Sequence, residues 1–311
     1  MRIAALFPGQ GSHAVGMARA LAEASPAARD VIERADAAAP GLRALMFDGP
    51  ADELTRTANQ QPALVAAGVA AYAAWREAGG PEPIIAAGHS LGEFTAHVAA
   101  GSLALETAIR LVRARGRYMQ EAVPEGVGAM AAVLKLDDDV VDALVAEAGA
   151  GASVANRNAP GQVVVSGEAD AVASVARAAK EHGGRAVPLK VSAPFHCPLM
   201  APAAERLARD LAATTFTPAR FEIVCNVDAR PLAGPADAPR VLTEQVTGTV
   251  RWTEVLHTVQ ERNIDRWVEF GSGKVLTGML ARTLAGADGR AVVDPESLAA
   301  ALPERAEGGP E

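Results

Sequence analysis

The segment Ile84-Ile85-Ala86-Ala87-Gly88-His89-Ser90-Leu91-Gly92-Glu93 leaves the backbone few options. Its apolar start reads as a short buried strand, Gly88-His89-Ser90-Leu91-Gly92 as a tight turn, and 91–100 as a helix. This is the Gly-x-Ser-x-Gly elbow in its strand-to-helix setting. The turn is so sharp that a side chain at either glycine would collide with neighbouring backbone. The serine is left at the strand end, its Oγ exposed near a helix N-terminus. Partial positive charge there favours a developing anion.

The same alternation runs through the N-terminal part. Strands are expected over 3–7 and 84–87, and helices over 15–23, 27–38, 62–78, 91–100 and 105–120. Such an order implies a largely parallel sheet covered on both faces. The pattern changes near Val123-Pro124-Glu125-Gly126. Strands over 129–134, 152–155, 162–166 and 186–190, with helices over 137–148 and 168–182, give the order β-α-β-β-α-β of a ferredoxin-like unit. Residues 156–161 read as the connection between two of those strands. Beyond Val191-Ser192 a helix is expected over 198–212, strands over 221–226 and 266–270, and a helix over 274–285. The expected fold class is α/β: an α/β-hydrolase-like core with a largely parallel sheet and an inserted ferredoxin-like small domain. The large domain takes 1–125 and 191–302, the small domain 126–190, and a polar tail 303–311.

A chain of 311 residues, half of them hydrophobic, can bury the core this fold needs. The formal net charge of −8 argues against bulk nucleic-acid binding, which wants a basic footprint. Cys197 and Cys225 are too few for a disulfide framework or a zinc site, so a reducing compartment is the natural setting. The opening apolar run is too short for a signal peptide. The longest uncharged stretch, 57–75, is polar at its start and contains Pro62, which suits a buried helix better than a membrane span. A cytoplasmic monomer without membrane attachment is expected.

A serine nucleophile needs a base, and six histidines are candidates. His89 adjoins Ser90 in the turn, so its ring is not expected to face the same pocket. His196, in Ser192-Ala193-Pro194-Phe195-His196-Cys197-Pro198, lies where the chain re-enters the large domain, beside an interdomain cleft of the kind that holds active sites. Position alone leaves it as the base or as an ordinary core or surface histidine. The loop Phe7-Pro8-Gly9-Gln10-Gly11-Ser12 is either a plain strand-to-helix turn or a source of a backbone N–H for an oxyanion. It lacks the Gly-Lys-Ser/Thr ending of a phosphate cradle. Arg115 sits off the Leu111–Val112 apolar stripe, and periodicity does not decide where it points. Cys197, Trp252 and Trp267 read as core. Lys190, Arg251, Lys274 and Arg282 form either a patch for an acidic partner or scattered solvated charges.

Six stretches recur in one order: Phe7-Pro8-Gly9-Gln10-Gly11-Ser12, Gln60-Gln61-Pro62-Ala63-Leu64, Gly88-His89-Ser90-Leu91-Gly92-Glu93, Arg115-Gly116, Phe195-His196 and Gly271-Ser272-Gly273-Lys274-Val275-Leu276. Together they resemble the malonyl-CoA:acyl-carrier-protein transacylases and the related polyketide-synthase acyltransferases. The resemblance implies that Ser90 is the nucleophile and His196 the catalytic histidine. It implies that the Gln10 and Leu91 backbone N–H groups form the oxyanion hole, and that the Gln245 carbonyl orients the histidine. Arg115 would hold the malonyl carboxylate, with Gln61 and Asn158 lining the pocket and Phe195 favouring malonyl. Malonyl-CoA would be the substrate and acyl carrier protein the partner, with no metal and no cofactor. The transfer would supply fatty-acid synthesis; a stand-alone polyketide-synthase acyltransferase, a serine hydrolase and a non-catalytic carrier-binding protein are the rival readings.

Overall fold

The computed structural model describes residues 1–124 and 126–303. Glu125, at the expected domain boundary, and all of the expected tail except Pro303 lie outside the described residues. No described helix is long and apolar enough to cross a membrane.

Strands β1 (Ile3–Phe7), β2 (Ile85–Gly88), β7 (Glu222–Val224), β8 (Arg266–Phe270) and β9 (Gly289–Val292) form one sheet in the order β7-β2-β1-β8-β9, every pairing parallel. All five residues of β1 are buried, as a central parallel strand requires. Its side chains alternate between two separate cores. Ile3, Ala5 and Phe7 join the cluster containing the helix Thr57–Glu77, whereas Ala4 and Leu6 pack with Trp252, Leu256 and Trp267. Both tryptophans are buried, as expected.

The inserted strands β3 (Gly128–Leu134), β4 (Ala152–Ala159), β5 (Gln162–Glu168) and β6 (Arg185–Pro188) form a second, antiparallel sheet in the order β4-β5-β3-β6. The helices Asp138–Ala148 and Ala169–Glu181 pack on it around Val141, Leu144, Val172 and Val175.

Several expected boundaries move. The helix expected over 62–78 is Thr57–Glu77, and Pro62 lies within it. The helix expected over 15–23 is only Arg19–Ala24, preceded by turns. Strand β4 continues through Asn156-Arg157-Asn158, which were expected to connect two strands. Register shifts between Val154 and Asn156, and between Arg157 and Ala159, let this polar stretch stay paired. It also bridges the two sheets' surroundings, because Arg157 N–H donates to the Val250 carbonyl at 3.0 Å. The helices Leu42–Asp48, Ala51–Thr55, Ala238–Thr247, Trp252–Gln260 and Pro295–Ala301, and strand β9, were not expected.

Candidate active site

Strands β1 and β2 pair with Phe7 opposite Gly88, so the loops at their C-terminal ends emerge side by side. The glycines there are steric necessities. A Cβ on Gly88 would lie 1.9 Å from the Gly92 carbonyl carbon, and one on Gly92 would lie 2.0 Å from the Phe7 oxygen. A Cβ on Gly9 would meet the His89 oxygen at 2.5 Å, so the Gln10 loop is drawn against the elbow. Ser90 itself adopts φ 51°, the left-handed region that costs a non-glycine residue about 1–3 kcal/mol. That strain is held by Asn226, which follows β7. Asn226 accepts from the Ser90 N–H at 2.6 Å and donates to the Gly88 carbonyl at 2.7 Å.

His196 lies on the segment returning from the second sheet, also at positive φ (60°). Its Nδ1 faces the Gln245 carbonyl at 2.8 Å, and its Nε2 faces Ser90 Oγ at 2.8 Å. A carbonyl only accepts, so Nδ1 carries the proton and Nε2 accepts from the serine hydroxyl. Burial, and then the nearby Arg115 cation, hold this imidazole at about 3, so it is neutral at pH 7. No carboxylate contacts the ring among the described residues.

Arg115 points inward from the helix Leu105–Glu121 and is 1% exposed. Gly116 permits this, since its Cβ would lie 2.6 Å from the Thr57 carbonyl of the neighbouring helix. One terminal nitrogen donates to Gln61 Oε1 at 3.1 Å; the other donates to Ser90 Oγ at 3.2 Å and Gln245 Oε1 at 3.0 Å. Its Nε has no partner among the described residues. Burial lowers its pKa to about 10, which leaves it charged at pH 7.

Ser90 and His196 open onto a cleft of about 520 Å³ between the two sheets' connections, lined also by Gln10, Asn156, Lys190 and Phe195. Gln61 and Asn158 stand one hydrogen bond behind its wall. Gln61 holds Arg115, and Asn158 Oδ1 accepts from His89 Nε2 at 2.8 Å. His89 is among the residues at the cleft, and its ring is set edge-on to Trp252 with Nε2 held by Asn158. Of the four scattered cations, Arg251 pairs with Glu254 and Arg282 donates to Gln162, whereas Lys190 lies at the cleft. Among the described residues, no group of three or more His, Cys, Asp or Glu gathers as metal ligands.

Two contributors carried no signal of their own in the sequence. Asn226 lies far along the chain in an unremarkable strand end. Glu93 closes the elbow motif and is fully buried; burial raises its carboxyl to about 7.

The arrangement is a hydroxyl with an adjacent neutral base and an adjacent cation, which suits acyl transfer onto serine. Comparison with known proteins agrees. Residues 5–300 match the acyl transferase domain family. The malonyl CoA-acyl carrier protein transacylase of Escherichia coli K12 is 44% identical over 306 residues, covering 97% of this chain and 99% of that protein. That of Bacillus subtilis strain 168 is 42% identical over 306 residues, covering 97% and 96%. The crystal structure of an acyl carrier protein S-malonyltransferase from Vibrio cholerae superposes with a TM-score of 0.94 at 42% identity, covering 96% of this chain and 99% of that one. A malonyl-transacylase solved in complex with a type II polyketide-synthase acyl-carrier protein gives a TM-score of 0.94 at 42% identity, covering 97% and 99%. This chain belongs to the acyl transferase domain family, in its malonyl CoA-acyl carrier protein transacylase branch.

Proposed function

We propose that this protein moves malonyl from malonyl-CoA to the phosphopantetheine thiol of an acyl carrier protein, through a malonyl ester on Ser90. The observation that carries the reading is Ser90 Oγ set between His196 Nε2 at 2.8 Å and the Arg115 guanidinium at 3.2 Å. His196 takes the hydroxyl proton as Ser90 Oγ attacks the thioester carbonyl carbon. When the C–S bond breaks, the same proton goes to the departing CoA sulfur. The second half-reaction runs the steps in reverse with the carrier thiol. A carbonyl, rather than a carboxylate, holds Nδ1; thiols are good leaving groups and nucleophiles, so this weaker base suffices.

The Gln10 and Leu91 N–H groups are assigned to the developing oxyanion. Neither donates to a backbone carbonyl among the described residues, and Leu91 caps the helix Gly92–Ala99, whose N-terminal field favours an anion. Arg115 is assigned to the malonyl carboxylate, where a planar guanidinium can make two parallel charge-assisted bonds. Gln61 and Gln245 hold that guanidinium, and Phe195, which is buried, forms part of the acyl wall.

The domain division follows 1–125 with 191–302, and 126–190. The strand order β4-β5-β3-β6 with two crossing helices supports a ferredoxin-like small domain, and the strained Ser90 elbow on a parallel sheet supports an α/β-hydrolase-like core. Two buried free thiols, Cys197 and Cys225, support action in a reducing cytoplasm.

The test is intact-protein mass after mixing with malonyl-CoA alone. The reading expects an adduct of one malonyl group that requires Ser90 and disappears when a carrier-protein thiol is added. Rapid CoA release without an adduct would make the protein a hydrolase, and no reaction at all would leave it a binding protein.

A further inference from the structure

The side chain of Gln245 faces three partners that constrain this site. Its Oε1 accepts from Arg115 at 3.0 Å. Its Nε2 donates to the Ser90 carbonyl at 3.0 Å and to Glu93 Oε2 at 2.7 Å. Its main-chain carbonyl holds His196 Nδ1. One residue on the helix Ala238–Thr247 therefore sets both the base and the cation. The shortest of its side-chain bonds is the one to Glu93.

Glu93 and Gln245 are both buried, at 0% and 1% exposure, and Glu93 Oε2 also accepts the Asn226 N–H at 3.0 Å. Asn226 is the residue that holds the Ser90 elbow. Glu93 Oε1 has no partner among the described residues. A carboxyl group whose one oxygen receives two N–H donors keeps that oxygen an acceptor in both protonation states, because a proton would settle on the other oxygen.

From this geometry we infer that Glu93 is a positioning residue for malonyl selection: its Oε2 anchors the Gln245 side chain, which in turn aims the Arg115 guanidinium and steadies the carbonyl behind His196. What Glu93 supplies is an acceptor atom at one place, not a charge. The inference rests on the proposed malonyl transfer, whose own test is wild-type adduct formation on Ser90. If the wild type forms no adduct, that reading fails whatever Glu93 does.

Glu93→Gln can keep an oxygen at the Oε2 position and remove the charge. Glu93→Leu keeps the approximate volume and removes the acceptor. Single-turnover acylation with malonyl-CoA and acetyl-CoA separates the two. Glu93→Leu is expected to lower the malonyl-over-acetyl preference about tenfold, the scale of one hydrogen bond to a charged group, while Glu93→Gln stays within about twofold of the wild type. A folded Glu93→Leu protein with wild-type preference would overturn the inference. So would a Glu93→Gln protein as impaired as Glu93→Leu, since charge would then be what matters.

A measurement on the wild type alone guards against a variant that does not fold. The charged or titratable groups acting on Glu93 are Arg115, Asp228 and Cys225. Glu93 titrates near 7, and Arg115 stays charged well above that. The malonyl-over-acetyl preference should therefore be flat from pH 6 to 8. A preference that changes severalfold across pH 7 would show that the charge of Glu93 controls it, and would overturn the inference.

Discussion

Replacing Arg115 by alanine should change which acyl group is accepted more than it changes the reaction itself. The guanidinium is 1% exposed, and its hydrogen-bonding partners are Gln61, Gln245 and Ser90. No carboxylate lies within ion-pair distance of it among the described residues. A malonyl carboxylate entering this site would be a buried ion whose partner is Arg115. Without the partner, an unpaired buried charge costs about 3–5 kcal/mol. At about 1.4 kcal/mol per factor of ten, that is roughly a 10²- to 10⁴-fold loss in kcat/KM for malonyl-CoA. Acetyl has no carboxylate and escapes this penalty. It does lose the Arg115 bond to Ser90 Oγ, worth on the order of 1.5 kcal/mol or about tenfold. The loss is partly offset, because removing the cation also lets the His196 imidazole become a stronger base. Single-turnover acylation followed by intact mass, with both thioesters, measures the two losses side by side. The malonyl loss should exceed the acetyl loss by at least tenfold, and Arg115→Lys, which keeps the charge but not the planar fork, should fall between. Equal losses for the two substrates, in a protein of unchanged thermal midpoint, would refute the assignment and make Arg115 a structural residue.

Four further outcomes follow from the same geometry. Because His196 is held at about 3, the acid limb of kcat/KM for acylation should fall far below pH 6.5; a limb near the ordinary histidine value would contradict the buried neutral ring. The stability signs are opposite for the two buried groups. His196, with a lowered pKa, weakens the fold as pH falls from 6.5 toward 3, whereas Glu93, raised from 4.5 to about 7, weakens it as pH rises through that interval; differential scanning calorimetry against pH, with Glu93→Gln as control, resolves them. Gly116→Ala puts a Cβ 2.6 Å from the Thr57 carbonyl, so an overpacking cost of about 1–3 kcal/mol is expected, together with slower malonyl transfer as the Arg115 helix is pushed outward. Asn226→Ala strips partners from the Ser90 N–H and the Gly88 carbonyl, at about 1–3 kcal/mol for each group left unsatisfied. A lower urea midpoint and slower acylation should appear together, and an unchanged acylation rate would mean that the elbow holds itself.

The elbow was legible because it is local. Gly88 is demanded by the Gly92 backbone only four residues away, although Gly92 is demanded by the distant Phe7 oxygen, and the strand and helix on either side have strong patterns of their own. The parallel sheet was legible from the same short apolar runs. Arg115 was visible as a residue but not as a direction. The helix Leu105–Glu121 buries both Leu111–Val112 and Arg115, so its apolar periodicity does not report the polar side chain packed against the Ser90 site. Strand β4 was cut short for a related reason. Asn156, Arg157 and Asn158 look like a connection, yet they pair irregularly with β5, and Asn158 fixes His89 from within the strand. Asn226 and the side-chain role of Gln245 were out of reach, because their partners lie 136 and 155 positions away in the chain. No pattern along one element encodes a contact of that kind; only the family resemblance pointed at Gln245, and it pointed at the carbonyl.

The electrostatics of the site make sense of its neutral residues. A buried arginine is usually paired with a carboxylate, and a glutamate at 61 or 245 would satisfy Arg115 fully. The cation would then be neutralised before any substrate arrived, and an incoming carboxylate would have to displace a resident one. Glutamine oxygens solvate the guanidinium without cancelling its charge, so the field remains available to a substrate anion. The buried carboxyl of this region, Glu93, is kept one residue further back, on the amide side of Gln245. Gln245 thus separates the cation from the carboxyl while hydrogen-bonding to both. Its two ends differ chemically, and each end meets the partner it can serve: the oxygen meets the cation, and the nitrogen meets the carboxyl and the Ser90 carbonyl. With the malonyl carboxylate assigned to Arg115, that polarity, set by one side chain between the elbow helix and the Arg115 helix, leaves the field of the cation open to a charged acyl group.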